Sequence, residues 1–203
     1  MTAPRVVLGV AGASGAVLSL SIARQLKSLG AETDLVTSVA AERTLAEECG
    51  SGALSILRTL ATRCHPFYDI GASIASGSVA VSGMIVAPCS MRSLAAIAHG
   101  LDDNLLTRSA SVQLKERRRL VLLTREAPLT LAHLRNMTAA TELGAIILPP
   151  VPAFYLKPDS VSDIVDQIAA RAIDLLGVSS PVARQWAGVN EQTRRAESRD
   201  ERP

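Results

Sequence analysis

Five short aliphatic runs restrict what this chain can fold into more than any other feature of it. They are Arg5–Ala11 (RVVLGVA), Glu32–Thr37 (ETDLVT), Gly83–Ala87 (GMIVA), Leu120–Thr124 (LVLLT) and Ala145–Leu148 (AIIL). A strand with one wet face alternates apolar and polar residues. Near-continuous runs such as RVVLGVA instead suit a parallel sheet covered by helices on both faces. Helical spacing fills the gaps: Ala16–Leu29 with Gly30 as its stop, Val39–Glu48, Leu94–His99, Leu105–Lys115, Leu129–Leu143 and Val161–Leu176. The stretch Cys49–Ser82 lacks a clear period, and Pro149, Pro150 and Pro152 forbid a helix directly after the fifth run. Strands alternating with helices place the chain in the α/β class with a mainly parallel sheet. With no internal repeat or linker, residues 1–186 read as a single domain and the polar stretch 187–203 as a loose C-terminal tail.

Composition narrows the function classes. The 203 residues suffice for one substantial core, and 48% hydrophobic against 20% charged residues describes a globular chain. Its 21 basic and 19 acidic residues leave a net charge of +2, so no nucleic acid partner is expected. Cys49, Cys64 and Cys89 are widely spaced, odd in number and form no CxxC pair. That pattern suits neither a disulfide framework nor a zinc site, and a reducing cytoplasm is the natural location. The N-terminal apolar run is too short and glycine-rich for a signal peptide, and nothing approaches the ~18 uninterrupted apolar residues of a membrane span. His65, His99 and His133 lack metal-ligand spacing, and Asp102–Asp103 is no DDxxD motif, so no metal is expected.

In open parallel sheets ligands bind beyond the carboxyl ends of the strands. That rule selects GASG (12–15), Ser38, PCSMRS (88–93), TREAP (124–128) and PPVPAFY (149–155). The turn Gly12-Ala13-Ser14-Gly15 enters a helix whose free N–H groups attract phosphate, though it also reads as a plain glycine turn. Ser38 is either an N-cap or a partner for a ribityl hydroxyl. Ser90 and Ser93 can cap the next helix or donate to a phosphate or a flavin ring edge. Cys89 reads as a small packed thiol, because no partner base is identifiable. Arg108 and Lys115 are seven residues apart on one helical face, set apart from Arg117–Arg119, which read as a solvated helix end. Arg125–Glu126 is either a salt bridge or an anion-binding arginine beside a proton-transferring carboxyl. Tyr155 sits in a rigid proline-rich loop, where a phenol can be held at fixed geometry.

These pieces, in this order and spacing, resemble one family. GASG (12–15), ASGS (75–78), APCSMRSLAAIAHG (87–100), DNLLTR (103–108), LKERR (114–118), TREAPL (124–129), HLRNM (133–137), GAIILPPVPAFY (144–155) and DIVD (163–166) match the UbiX-type flavin prenyltransferases from about Arg5 to Trp186. These belong to the wider group of homo-oligomeric flavin-containing decarboxylase-like proteins. The resemblance implies a Rossmann-like three-layer sandwich, assembled as far as a dodecamer, with FMN near subunit interfaces. It implies metal-independent transfer of a dimethylallyl group from dimethylallyl monophosphate to N5 and C6 of reduced FMN. The product, prenylated FMN, would serve a UbiD-type decarboxylase in ubiquinone biosynthesis or aromatic acid decarboxylation. It implies FMN contacts at Gly12, Ala13, Ser14, Ser38, Ser90, Met91, Arg92, Ser93 and Arg125. Donor contacts are implied at Tyr155 and Arg171, with Arg108 and Lys115 nearby and Trp186 covering the site. Chemical roles are implied for Glu48, Glu126, Lys115 and Ser14.

Some positions depart from the family pattern: Leu123-Thr124 stands where Val-Pro is frequent, Ser93 where Thr is frequent, and Lys157 alters the rim near Tyr155. Two other functions are weighed against this one. A flavin-dependent cysteine decarboxylase should carry a histidine near the first helix and an Asn-rich PxMNxxMW-like loop, and GASGAV and PCSMRS stand there instead. A non-catalytic FMN-carrier subunit would not be expected to retain Lys115, Glu126, Tyr155 and Arg171.

Overall fold

The computed structural model describes residues 3–186 and Gly188, so the expected tail, Gly188 apart, lies outside the described residues. A single sheet contains β1 (Arg5–Val10), β2 (Glu32–Thr37), β3 (Arg63–His65), β4 (Gly83–Cys89), β5 (Arg119–Thr124) and β6 (Ile146–Ile147), in the spatial order β3-β2-β1-β4-β5-β6. Every pairing is parallel. The helices are α1 (Val17–Ser28), α2 (Val39–Cys49), α3 (Ala53–Leu60), α4 (Met91–Ala98), α5 (Leu105–Lys115), α6 (Leu131–Glu142) and α7 (Val161–Leu176).

Three elements, α3, β3 and a 3-10 turn at Ser73–Ala75, correct the expectation that Cys49–Ser82 is irregular. β3 is an edge strand with the sequence RCH, too short and polar to show a hydrophobic pattern. Capping moves two helix starts. α4 begins at Met91 instead of Leu94, because the Ser90 hydroxyl accepts from the Ser93 N–H at 3.3 Å. α6 begins at Leu131 instead of Leu129, where Thr130 and His133 form a reciprocal cap.

Alternation along the strands explains why their sequences carry so few polar residues. Val6, Leu8, Val10, Ile85, Ala87, Val121 and Leu123 pack on one face with residues of α1, α2, α3 and α7. Val7, Met84, Val86, Leu120 and Leu122 pack on the other with residues of α4, α5 and α6. Both faces are therefore dry, in a Rossmann-like three-layer sandwich, and each fully buried aliphatic side chain contributes about 1.5–3 kcal/mol.

The chain runs outward from β1 to β2 and β3, then returns to place β4 on the other side of β1. This reversal leaves a crevice at the carboxyl ends of β1 and β4, where open α/β sheets bind ligands. Backbone bonds hold the loops of that rim together. Ala11 N–H donates to the Pro88 carbonyl at 3.1 Å, Ser38 N–H to Val10 at 2.9 Å, and Arg125 N–H to Cys89 at 3.2 Å. Gly12 has no room for a side chain: a methyl there would overlap the Ala40 Cβ and stand 3.0 Å from the Ala40 carbonyl carbon.

One charged cluster lies inside the fold, away from this rim. Asp34 of β2 is fully buried. Arg5 donates to it from Nε at 2.6 Å and Nη2 at 2.9 Å, and His65 Nε2 lies 2.7 Å from its Oδ1. Arg63 Nη1 is 3.5 Å away. Burial pushes the Asp34 carboxyl up, but the hydrogen bonds from Arg5 and His65 outweigh it and hold the group below its ordinary value.

Candidate functional site

Four neighbouring strands deliver the rim. β2 leads into Ser38, β1 into the 12–15 turn, β4 into Ser90–Ser93 and β5 into Arg125–Glu126. Sheet order thus brings the expected FMN residues Gly12, Ala13, Ser14, Ser38, Ser90, Met91, Arg92, Ser93 and Arg125 to one edge. Their side chains already have structural duties. Ser38 caps α2 by accepting from the Ala41 N–H at 3.1 Å. The Ser90 hydroxyl donates to Ser93 Oγ at 3.1 Å, and Arg92 pairs with Asp103. The Ser38 cap keeps its hydroxyl proton to donate, and Ser93, which accepts from Ser90, keeps its own, so capping and ligand binding are compatible at these two.

The anion-binding end of α1 holds an anion from its own chain. The amides of Gly15 and Ala16 donate to Glu48 Oε2 at 2.9 and 2.8 Å. Burial pushes the Glu48 carboxyl up, but hydrogen bonds from Ser14, Ala16 and Gly15, together with the Arg125 charge, bring it below its ordinary value. Glu48 therefore accepts from the Gly15 and Ala16 amides and the Ser14 side chain, with the charge of Arg125 nearby. Those two amides are engaged within the chain, which leaves the Gly12, Ala13 and Ser14 part of the turn for a ligand. Glu126 is exposed, and its carboxylate accepts from the Ala127 N–H at 3.1 Å. Cys89 is buried and burial pushes its thiol up to about 12, as suits a packed side chain.

The donor set fits FMN. The rim offers four serine hydroxyls and the guanidinium groups of Arg92 and Arg125. At its floor the buried Thr124 hydroxyl has no hydrogen-bond partner among the described residues, so a polar group is called for there.

A cavity of about 500 Å³ flanks β6 and is lined by Pro149, Val151, Tyr155, Ile168, Arg171 and Trp186, among others. Tyr155 and Trp186 meet edge to face, ring centroids 5.2 Å apart at 86°. The segment bearing Trp186 is held by two residues that sequence reasoning missed. Asp174 accepts from the amides of Val182 and Ala183 at 2.7 and 3.2 Å. Gln167 accepts from the Arg184 N–H and donates to its carbonyl, both at 3.0 Å. Gln167 and Asp174 are seven apart on α7, the helical spacing that could have flagged them.

Lys115 and Arg108 do not join this cavity within one chain. Both lie on α5, on the opposite face of the sheet from α7. Lys115 is followed within four residues by the start of β5, whereas Arg125 follows its end. A strand of this length separates the two edges by about 20 Å. Arg108 is tied to Asp102 Oδ2 and to the Ala75 carbonyl, each at 3.2 Å. The run Arg117–Arg119 is not simply a solvated helix end. Arg118 donates to the Val79 and Gly77 carbonyls at 2.9 and 2.8 Å, and Arg119 to Leu175 at 2.7 Å.

Comparison with known proteins identifies the family. A family profile described as Flavoprotein matches residues 1–173. The flavin prenyltransferase UbiX of Thauera aromatica is 49% identical over 195 residues, 96% of this chain and 100% of that protein. The chain belongs to the flavoprotein family, in its group of UbiX flavin prenyltransferases. The crystal structure of AnUbiX in complex with FMN and dimethylallyl pyrophosphate superposes with a TM-score of 0.88 at 45% identity, covering 93% of this chain and 100% of that one. A dodecameric FMN-dependent UbiX-like decarboxylase from Escherichia coli O157:H7 gives 0.86 at 42% identity, over 91% and 100%.

Proposed function

We propose that this UbiX-group chain joins a dimethylallyl group from dimethylallyl monophosphate to N5 and C6 of reduced FMN, and that two copies share each reaction site. The observation that carries the reading is the cavity of about 500 Å³ whose lining joins two arginines, Arg171 and Arg184, to the paired rings of Tyr155 and Trp186. A phosphate joined to a short allylic chain needs that pairing of cation and apolar wall. The FMN and dimethylallyl pyrophosphate held by AnUbiX support the ligand assignment.

Reduced FMN, when bound, supplies the nucleophilic N5 and C6. The chain's own residues then have distinct tasks. As the donor C–O bond breaks, negative charge grows on the departing phosphate. Arg171 neutralises it from a fixed position, a role that needs no metal. Tyr155 and Trp186 keep water from the allylic carbon. Ser14, Ser38, Ser90, Ser93, Arg92 and Arg125 hold and orient the flavin nucleotide, with Gly12 and Ala13 shaping the turn and Met91 packing beside it. Glu48 fixes Ser14 and Arg125. Ring closure adds one proton to the dimethylallyl double bond and removes one from C6; Glu126, exposed beside Arg125, would move a proton in this step with the departed phosphate as its partner.

Lys115 and Arg108 of a neighbouring copy complete the phosphate site, because no single chain brings α5 and α7 to one point. Exposed Val151, Phe154, Leu131, Leu134 and Val161 support an association that covers them. The dodecameric Escherichia coli relative supports the same conclusion. The product would pass to a UbiD-type decarboxylase in the cytoplasm, a location supported by three free cysteines.

Release of inorganic phosphate tests this function. Under anaerobic conditions with EDTA, phosphate should appear only when protein, reduced FMN and dimethylallyl monophosphate are all present. Release without reduced FMN, or only with added divalent metal, contradicts it.

A further inference from the structure

The ASGS segment, 75–78, lies along the cationic face of α5. Arg108 Nε donates to the Ala75 carbonyl at 3.2 Å, and Arg118 spans the Gly77 and Val79 carbonyls at 2.8 and 2.9 Å. One planar guanidinium bonded to two carbonyls of one loop fixes that loop in position and angle. Below it, Lys115 Nζ pairs with the Glu116 carboxylate. A methyl on residue 77 would stand 2.5 Å from Lys115 Nζ and closer still to Glu116 Oε1.

The backbone does not demand glycine here, since Gly77 is not among the positive-φ residues. Both groups that an added methyl would meet are tips of flexible side chains. An alanine would therefore be accepted by the loop and would push the charged tips aside. The missing side chain serves the position of the ammonium and not the shape of the turn.

We propose that Gly77 and Glu116 are positioning residues for Lys115. Arg118 anchors the loop, the bare Cα of Gly77 leaves the gap in which the ammonium stands, and Glu116 tethers it there. The inference rests on Lys115 being a cation that meets the donor phosphate. It assigns a task to the ASGS and LKERR segments together. It also explains why an acidic residue stands beside a lysine that must bind an anion.

The test uses the full-length, FMN-loaded protein, so that the flavin phosphate site is filled. Inorganic phosphate affinity is measured by calorimetry and donor KM by turnover. Gly77→Ala and Glu116→Gln should leave the thermal midpoint and FMN affinity unchanged. Each should raise the phosphate Kd and donor KM by roughly 10–100-fold, the loss of one hydrogen bond to a charged group. In a Lys115→Ala background neither substitution should weaken phosphate binding further, because the group that they position is gone. Unchanged phosphate affinity in the single variants overturns the inference, as does an equal penalty with and without Lys115. If Lys115→Ala alone leaves phosphate and donor affinity intact, the role given to Lys115 in the proposed function fails instead, and the two failures are told apart by that one variant.

Discussion

Chains carrying Lys115→Ala and chains carrying Arg171→Ala, each inactive alone, should regain prenyl transfer when they are co-expressed and co-assembled. Each single variant should lose about 10²–10³ in kcat/KM for the donor, the usual cost of removing one fixed group that stabilises developing negative charge. The two residues lie on opposite faces of the sheet, on α5 and α7. A phosphate that meets both must draw them from different copies. In a randomly mixed assembly about a quarter of such two-copy sites keep both residues. Activity near that fraction of the unmodified enzyme is expected. No recovery in a verified mixed assembly would show that one chain supplies both groups, and the shared site would be wrong.

The second large effect concerns stability. Asp34→Asn should destabilise the fold by about 1–3 kcal/mol, because the buried position loses the charged acceptor of the half-buried Arg5 and of His65. For a chain of this size that lowers the thermal midpoint by roughly 2–12 °C. Asp34 is held below its ordinary 3.8 in the folded state. A carboxyl with a depressed folded value adds stability that is fully present above its unfolded value and is lost as pH falls through the folded one. The native protein should therefore lose stability on acidification below 3.8, and the Asn variant should show a flatter acid limb. Thermal melts against pH at one fixed protein concentration check both points. An Asn variant with native stability and an unchanged acid limb would show that the Asp34 cluster carries no such energy.

Much of the fold is legible from residues that obey local rules. GMIVA and LVLLT are buried on both faces, and Gly30 ends α1 where chain direction must change. β3 was not legible, because RCH has three residues and owes its place to pairing with Asp34–Val36 of β2. The helix starts at Met91 and Leu131 depend on the hydroxyls of Ser90 and Thr130, which outrank apolar spacing at a terminus. The candidate site divides the same way. The rim could be read from strand ends. The Glu48 carboxylate on the Gly15 and Ala16 amides could not, since that contact joins residues more than 30 positions apart. Trp186 over Tyr155 was expected from the family resemblance alone and not from local pattern, because Gln167 and Asp174 create the path of the segment that carries it. Arg118 and Arg119 looked like charge for solvent and turned out to bind backbone carbonyls, whose partners no local pattern reveals.

The central claim is prenyl transfer to flavin, and mass analysis of the flavin tests it most directly. The purified protein would be mixed anaerobically with reduced FMN and dimethylallyl monophosphate, and the flavin extracted after turnover. A flavin heavier by one dimethylallyl unit, formed with EDTA present, is the expected result. FMN recovered at its original mass, from protein that binds both FMN and the donor, would contradict the claim.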